Sequence, residues 1–253
     1  MKLHTALLAF AAFAAVPAMV QAQEGVDLTG FYYPAFGDVD VGEEMLAKIA
    51  PNTVHVDDAG AIELPRGDYG GLDVKPDALA AAEAWRPEDD MTMSKACETP
   101  GLIYTMQGPF PMKIHQGTEF ILVQIEYFDL IRIVFMDGRD HPPADAPHTK
   151  MGHSIGHWEG DTLVVDTTHL ASSTILNNGL NHSENLHVIE RFRLSEDGSK
   201  LLGTQEFEDP DTLNNRGYRL LAWDFSPEES EYIYPYECDP SFGANYGVFD
   251  AGE

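Results

Sequence analysis

The sequence predicts a mainly β protein built as a single antiparallel barrel. Short runs rich in branched and aromatic residues recur about every ten residues from position 101 onward. Turn signals such as Asp137-Gly138 and Glu159-Gly160-Asp161 separate these runs. No crossover helix stands between them, which argues against a parallel α/β sheet. The closest architectural class is a lipocalin-like barrel, with one short helix in the N-terminal region.

The first 22 residues have the pattern of a secretory signal peptide. Lys2 precedes an apolar run from Ala6 to Val16, and Val20-Gln21-Ala22 offers small residues for cleavage before Gln23. The run is too short to span a bilayer, which needs about 20 apolar residues. We therefore expect a periplasmic or secreted protein. Its predicted divisions are a signal peptide over 1–22, an extended N-terminal region over 23–100 and the barrel core over 101–253.

Two elements are predicted in the N-terminal region. The stretch Asp27–Pro34 is predicted to be a first short strand that ends at its proline. The stretch Pro76–Trp85 is predicted to be a helix, because Pro76 suits a first turn and alanines dominate the residues after it. Arg86-Pro87 should end this helix.

The remaining strands are predicted in the second part of the chain. Three hairpins are expected among them, around Glu159-Gly160-Asp161, around Ser195–Ser199 and around a Pro-Glu-Glu turn near residue 228. The predicted strands cover 111–115, 118–127, 130–136, 154–158, 162–168, 186–194, 200–207, 219–225 and 231–236.

Charge and cysteine content exclude some partners and suggest one crosslink. The chain has 15 basic and 42 acidic residues, for a net charge of −27. Such a charge repels nucleic acid and anionic membrane surfaces, so neither is an expected partner. No stretch after the leader is long and apolar enough to span a membrane. Cys97 and Cys238 are expected to form one disulfide in an oxidising compartment, two free thiols being the alternative.

Several long motifs resemble those of a known family. They are Asp27–Gly30, Arg86–Cys97, Met136–Pro142 (MDGRDHP), Met151–Thr168 (MGHSIGHWEGDTLVVDTT), His182–Phe192 (HSENLHVIERF) and Tyr236–Cys238. On these the chain resembles a large family of exported, mostly uncharacterised bacterial proteins. The resemblance implies export, a disulfide and a one-domain β fold, but no established reaction. At His157 the family pattern more often has Arg.

Histidines are concentrated between Asp137 and Arg191. A zinc site would need three or four of them to converge on one point. His153 and His157 are four residues apart, which on a strand puts them on one side but about 13 Å apart. No Cys-pair zinc motif is present, and there is no phosphate-binding or dinucleotide-binding motif. We therefore predict no metal and no cofactor, and surface or turn histidines are the simplest explanation.

The same region contains candidates for acid–base chemistry without a metal. We select Asp166, Glu190, His153 and His187 as candidate catalytic residues, because buried carboxylates and histidines exchange protons near neutral pH. A carboxylate in a dry barrel must be paired or protonated, and Arg132 or Arg191 is the expected partner. The alternative is a structural ion pair that fixes strand register.

Ligand binding is the other use that the sequence suggests. A barrel of about eight strands has room for one small molecule, and its abundant aromatic residues would line that space. The candidate binding residues are Arg139, His141, Trp158 and Arg191, since arginine can grip a carboxylate or phosphate.

Three function classes remain open on this basis. The first is a protein that binds a small, partly apolar molecule in a ligand-sized interior. The second is a cofactor-free lyase or isomerase, and the third is a structural envelope protein. Binding requires an apolar cavity, catalysis requires converging His and carboxylate groups, and a structural role requires a filled barrel. The oligomeric state is not predicted.

Overall fold

The computed structural model describes residues 25–57, 64–90, 92–228, 231–241 and 243. It confirms the predicted fold class: the chain is mainly β, and nine of its described strands form a closed barrel. The predicted signal peptide, residues 1–22, lies outside the described residues.

Nine of the described strands lie close to predicted ones, whereas the short strands Thr53–His55, Ser173–Leu176 and Leu180–His182 were not predicted. The strands are β1 (Gly30–Pro34), β2 (Thr53–His55), β3 (Met112–Gln116), β4 (Phe120–Ile125), β5 (Leu130–Phe135), β6 (His153–Glu159), β7 (Thr162–Thr168), β8 (Ser173–Leu176), β9 (Leu180–His182), β10 (His187–Leu194), β11 (Lys200–Glu208) and β12 (Arg216–Ser226). The helices are α1 (Glu43–Leu46), α2 (Pro76–Ala84), α3 (Pro87–Asp90) and α4 (Leu102–Thr105), with a 3₁₀ turn at Tyr127–Asp129.

The barrel closes with an odd number of strands. Its order is β1-β3-β4-β5-β6-β7-β10-β11-β12, and β12 pairs with β1 to complete the ring. Nine strands cannot alternate in direction all the way round, so one neighbouring pair must be parallel. That pair is β5 and β6, where Val134 and Phe135 lie opposite Ser154 and Ile155. Residues 136–152 form the long connection that a parallel pair requires.

Strand alternation decides what fills the barrel. On β10, Val188, Glu190 and Phe192 point inward and are buried, as the period of two predicts. The interior is closely packed, and its cavity has a volume of only about 20 Å³, space for roughly one water. Leu28 and Met106, from segments outside the ring, help to fill it. The expectation of a ligand-sized interior is therefore wrong, because side chains from the barrel strands and from the segments that connect them occupy that space.

The N-terminal region contributes to the barrel and covers part of it. Its strand β1 is a member of the ring. Helix α2 begins at Pro76 as predicted and ends at Ala84, just before Arg86-Pro87, and it packs against β9. A second small core forms where Val41 and Met45 pack on Leu202 of the outer barrel face. The region therefore both closes the ring and shields one outer face.

A disulfide ties the end of the N-terminal region to the segment that follows β12. Cys97 and Cys238 form the predicted disulfide, with their Cα atoms 5.9 Å apart. The prediction of a strand over residues 231–236 is wrong: the segment is described but belongs to no ladder. β1 already pairs with this edge of β12 from Trp223 to Ser226, so no hairpin partner is needed there. Across the described ranges, no helix has the length and apolarity needed to cross a membrane.

Candidate functional site

A row of titratable side chains crosses the outer face of the barrel. His153 on β6 lies opposite Thr168 on β7, and His187 on β10 lies opposite Glu208 on β11. Arg216, the first residue of β12, donates from Nε to Glu208. Outward-facing residues of neighbouring strands are brought together by the antiparallel register. Barrel topology thus gathers residues that are far apart in sequence.

Asp166 connects the histidines of this row. Its Oδ1 lies 2.9 Å from Nε2 of His187 and 3.0 Å from Nε2 of His141. Nδ1 of His141 is in turn 3.1 Å from Nδ1 of His153. We call His153, His141, Asp166 and His187 the histidine relay. Beyond it, Nδ1 of His187 is 3.5 Å from Oε1 of Glu208.

His141 reaches the relay from the long connection between β5 and β6. That connection is anchored by two other histidines. His169 donates from Nε2 to the carbonyl of Pro143 (2.9 Å), and Nδ1 of His148 lies 3.2 Å from the carbonyl of Leu170. These contacts fix the connection against the segment after β7, so that the His141 ring is held over Asp166.

Hydrogen bonds and burial shift the pKa values of three members of the relay. The hydrogen bond to Asp166 raises the pKa of His187, outweighing the opposing effect of burial. Burial alone would raise the pKa of Asp166, but hydrogen bonds from His187 and His141 lower it below its ordinary value. Burial, and then the neighbouring His141, lower the pKa of His153. At neutral pH the relay therefore has an ionised carboxylate at its centre and a neutral His153 at its end.

The relay is not arranged as a metal site. Within the described residues, no group of three or more His, Cys, Asp or Glu side chains converges in a way that could hold a metal ion. The ring nitrogens of His141 both face other members of the relay, so they do not point to a common centre. His157 is on the outer face of β6 but is mostly exposed and contacts Glu159 instead.

Glu190, the remaining candidate acid, lies apart from the relay inside the barrel. Arg132 donates from Nη2 to Oε2 of Glu190 and to Thr167 (3.1 Å), and from Nε to Ser154 (3.3 Å). Gln205 donates to Oε1 of Glu190 at 3.0 Å. Arg132 and Glu190 are only 2% and 0% exposed. The pair therefore belongs to an internal hydrogen-bond network and is almost completely buried.

The other candidate binding residues are scattered. Arg139 stacks 3.7 Å over the ring of Phe135, beside His153, and is held by Asp137. Trp158 packs against the core, and the backbone at Gly25 lies against its indole ring. Arg191 points outward from β10, and its Nε and Nη1 are buried without a hydrogen-bond partner among the described residues. Only Arg139 and His141 therefore lie at the relay.

A second feature is a cleft of about 470 Å³ at a gap in the barrel wall. Strand β12 pairs with β2 over Arg216–Tyr218 and with β1 over Trp223–Ser226, which leaves the edge between them uncovered. We call this opening the seam cleft. Its lining includes Phe36, Val39, His55, Val56, Asp57, Met106, Gln107, Arg219, Leu220, Leu221, Ala222 and Trp223.

The floor of the seam cleft presents backbone polar groups. The carbonyl of Tyr218 accepts from Val56 N–H, and that of Ala222 accepts from Ala35 N–H, at 2.9 and 3.0 Å. Backbone groups alternate in direction along a strand, so the N–H and C=O of Leu220 point to this same edge. No described residue pairs with Leu220 there. One donor and one acceptor therefore face the cleft.

Several of these residues were not anticipated from the sequence. Glu208 could have been found, because equal hairpin arms around the turn at Ser195–Ser199 place it opposite His187. Phe36 and Leu220 carry no sequence signal, since their role depends on where β1 and β2 meet β12.

Comparison with known proteins gave no assignment: no protein-family model matches the chain, and no curated protein matches it significantly.

Proposed function

We propose that this protein is an exported binding protein that takes a small, partly apolar molecule into the seam cleft. The observation that carries the proposal is a cleft of about 470 Å³ where β1 and β2 separate along β12. This volume lies in the usual range for small-molecule sites, about 300–1,000 Å³. The packed barrel interior, with its cavity of about 20 Å³, offers no comparable space.

Apolar contacts suit the seam cleft to a partly apolar ligand. Trp223, Leu221 and Met106 are buried side chains in its wall. Phe36 also lines it, although 68% of this aromatic residue is exposed to solvent. A large aromatic side chain that stays exposed beside a concave site is typical of a ligand contact. We infer that a bound molecule would cover the ring of Phe36.

Polar groups would orient the ligand. Leu220 supplies a backbone donor and acceptor on the cleft floor, and Gln107 adds a nearly buried amide in the lining. His55 stacks on Tyr218 at the rim, with ring centroids 4.9 Å apart. Fixed polar groups among apolar side chains give specificity for a molecule with one or two hydrogen-bonding groups. The proposed ligand is therefore amphipathic.

Export is part of the same proposal. The leader pattern over residues 1–22 and the disulfide support it, since disulfides persist in oxidising compartments. The resemblance to exported bacterial proteins points the same way.

A fluorescent probe tests the binding site directly. The probe is N-phenyl-1-naphthylamine, a neutral planar amine whose emission rises in apolar surroundings. We expect saturable binding to the purified protein. Phe36→Ala should weaken it about fivefold to tenfold, because a lost aromatic contact is worth roughly 1–1.4 kcal/mol.

A matched variant separates this contact from a general surface effect. Phe120 is also an exposed phenylalanine, 46% accessible, but it lies on β4 outside the seam cleft. Phe120→Ala should bind the probe as the wild type does. Absence of saturable binding, or equal affinity for wild type and Phe36→Ala, would rule out the seam cleft as the site.

A further inference from the structure

The open end of the histidine relay is Nε2 of His153. Its Nδ1 faces His141, but Nε2 has no hydrogen-bond partner among the described residues and is not one of their buried polar atoms. It therefore reaches solvent on the outer face of the barrel. The other end is occupied, because both nitrogens of His187 face carboxylates, those of Asp166 and Glu208.

Hydrogen-bond accounting fixes where the protons of the relay lie. An ionised carboxylate only accepts, so Nε2 of both His141 and His187 must donate to Asp166. A neutral His141 then has a bare Nδ1, which accepts from Nδ1 of His153 across 3.1 Å. In a neutral His153 this arrangement leaves Nε2 as an unprotonated lone pair. The geometry thus presents a base to solvent.

We propose that Nε2 of His153 removes a proton from a small 2-oxo acid, and that His141 and Asp166 disperse the resulting positive charge. The C–H bond next to the carbonyl breaks, its electron pair stays on the substrate as an enolate, and an N–H bond forms at Nε2. The proton on Nδ1 of His153 moves to Nδ1 of His141, whose cation is stabilised by Asp166. The reverse transfer returns a proton to carbon, so no other reactant is required.

The surroundings of His153 indicate an anionic substrate. Its ring stacks on Phe135 with centroids 5.1 Å apart, and the guanidinium of Arg139 lies over that same ring. Asp137 accepts from Nε and Nη2 of Arg139, and Nη1 is the nitrogen that the pair does not use. A carboxylate bound at Nη1 would place the adjacent carbon acid near His153. The charged or titratable groups around His153 are His141, Arg139, His169 and Asp137.

The experiment follows exchange of the methyl protons of pyruvate in D₂O by proton NMR. Wild-type protein should accelerate exchange at least tenfold over buffer, and His153→Gln should abolish the acceleration. His157→Gln is the matched control, because His157 is on the same strand and face but its Nε2 pairs with Glu159, outside the relay. This control should exchange pyruvate at the wild-type rate.

The role of Asp166 in the relay and the tautomer of His153 are tested on the same protein samples. Asp166→Asn should slow exchange and move the midpoint of its pH profile to lower pH, since the relay would lose its anion. Nitrogen NMR shifts of His153 should show Nδ1 protonated and Nε2 bare at neutral pH. This proposal is independent of the seam cleft. No acceleration by the wild type, equal rates for His153→Gln and His157→Gln, or a protonated Nε2 in neutral His153 would each overturn it.

Discussion

Replacing Arg132 by Met should be among the most damaging single changes in this protein. Arg132 is 2% exposed, and it is the cation that neutralises Glu190 in the sealed interior. Removing one partner of a buried ion pair costs about 3–5 kcal/mol, because the other charge stays buried without compensation. Among the described residues, the amide of Gln205 would still donate to Glu190. For a chain of this size the expected fall in melting temperature is about 6–20 °C.

The assay is urea and thermal unfolding followed by circular dichroism. Arg139→Met is the matched control, since Arg139 also pairs with a carboxylate, that of Asp137, but on the exposed outer face. A surface pair contributes about 0–1 kcal/mol, so this variant should unfold almost as the wild type does. The double variant Arg132→Met with Glu190→Met should recover part of the loss. Equal stability of Arg132→Met and Arg139→Met would contradict the claim that the buried ion pair matters more to the stability of the barrel than the surface pair.

Four further predictions concern the disulfide, a turn and two members of the relay. Cys97→Ser with Cys238→Ser should cost about 5 kcal/mol by the chain-entropy relation, measured by urea unfolding. Gly152→Ala should lower the melting temperature, since Gly152 has φ +65° and an added Cβ would lie 2.6 Å from a carbonyl oxygen; an unchanged value would contradict this. Stabilisation from Asp166 should persist above pH 3.8 and disappear as pH falls through its lowered pKa, a dependence that Asp166→Asn should remove. Stabilisation from His187 should persist below pH 6.5 and disappear as pH rises through its raised pKa; His187→Gln should remove it, and unchanged pH profiles would contradict both.

Local patterns were sufficient to predict the barrel. Branched and aromatic runs predicted the nine strands of the ring, and turn signals predicted the hairpins between β6 and β7 and between β10 and β11. The proline at 76 and the Arg86-Pro87 stop bounded α2 to within one residue. These features depend on neighbours in sequence, which is why sequence reasoning could find them.

The parts that were missed depend on closure of the ring. Nothing in the residues around Phe36 or Leu220 indicates that β1 and β2 leave a gap on β12. The contact of His141 with Asp166 likewise requires the long connection after β5 to fold back over β7. The interior was misjudged because its filling comes partly from Leu28 and Met106, which belong to segments outside the strands.

The most direct test of where this barrel binds is a proton–nitrogen NMR titration of the purified protein with N-phenyl-1-naphthylamine. If the seam cleft is the binding site, amide shifts will concentrate at Leu220 and Gln107. Inward-facing Val123 and Val165 will stay unchanged, because the packed interior has no room for the probe. Shifts centred on Val123 and Val165, or none at the cleft at saturation, would contradict binding at the seam cleft.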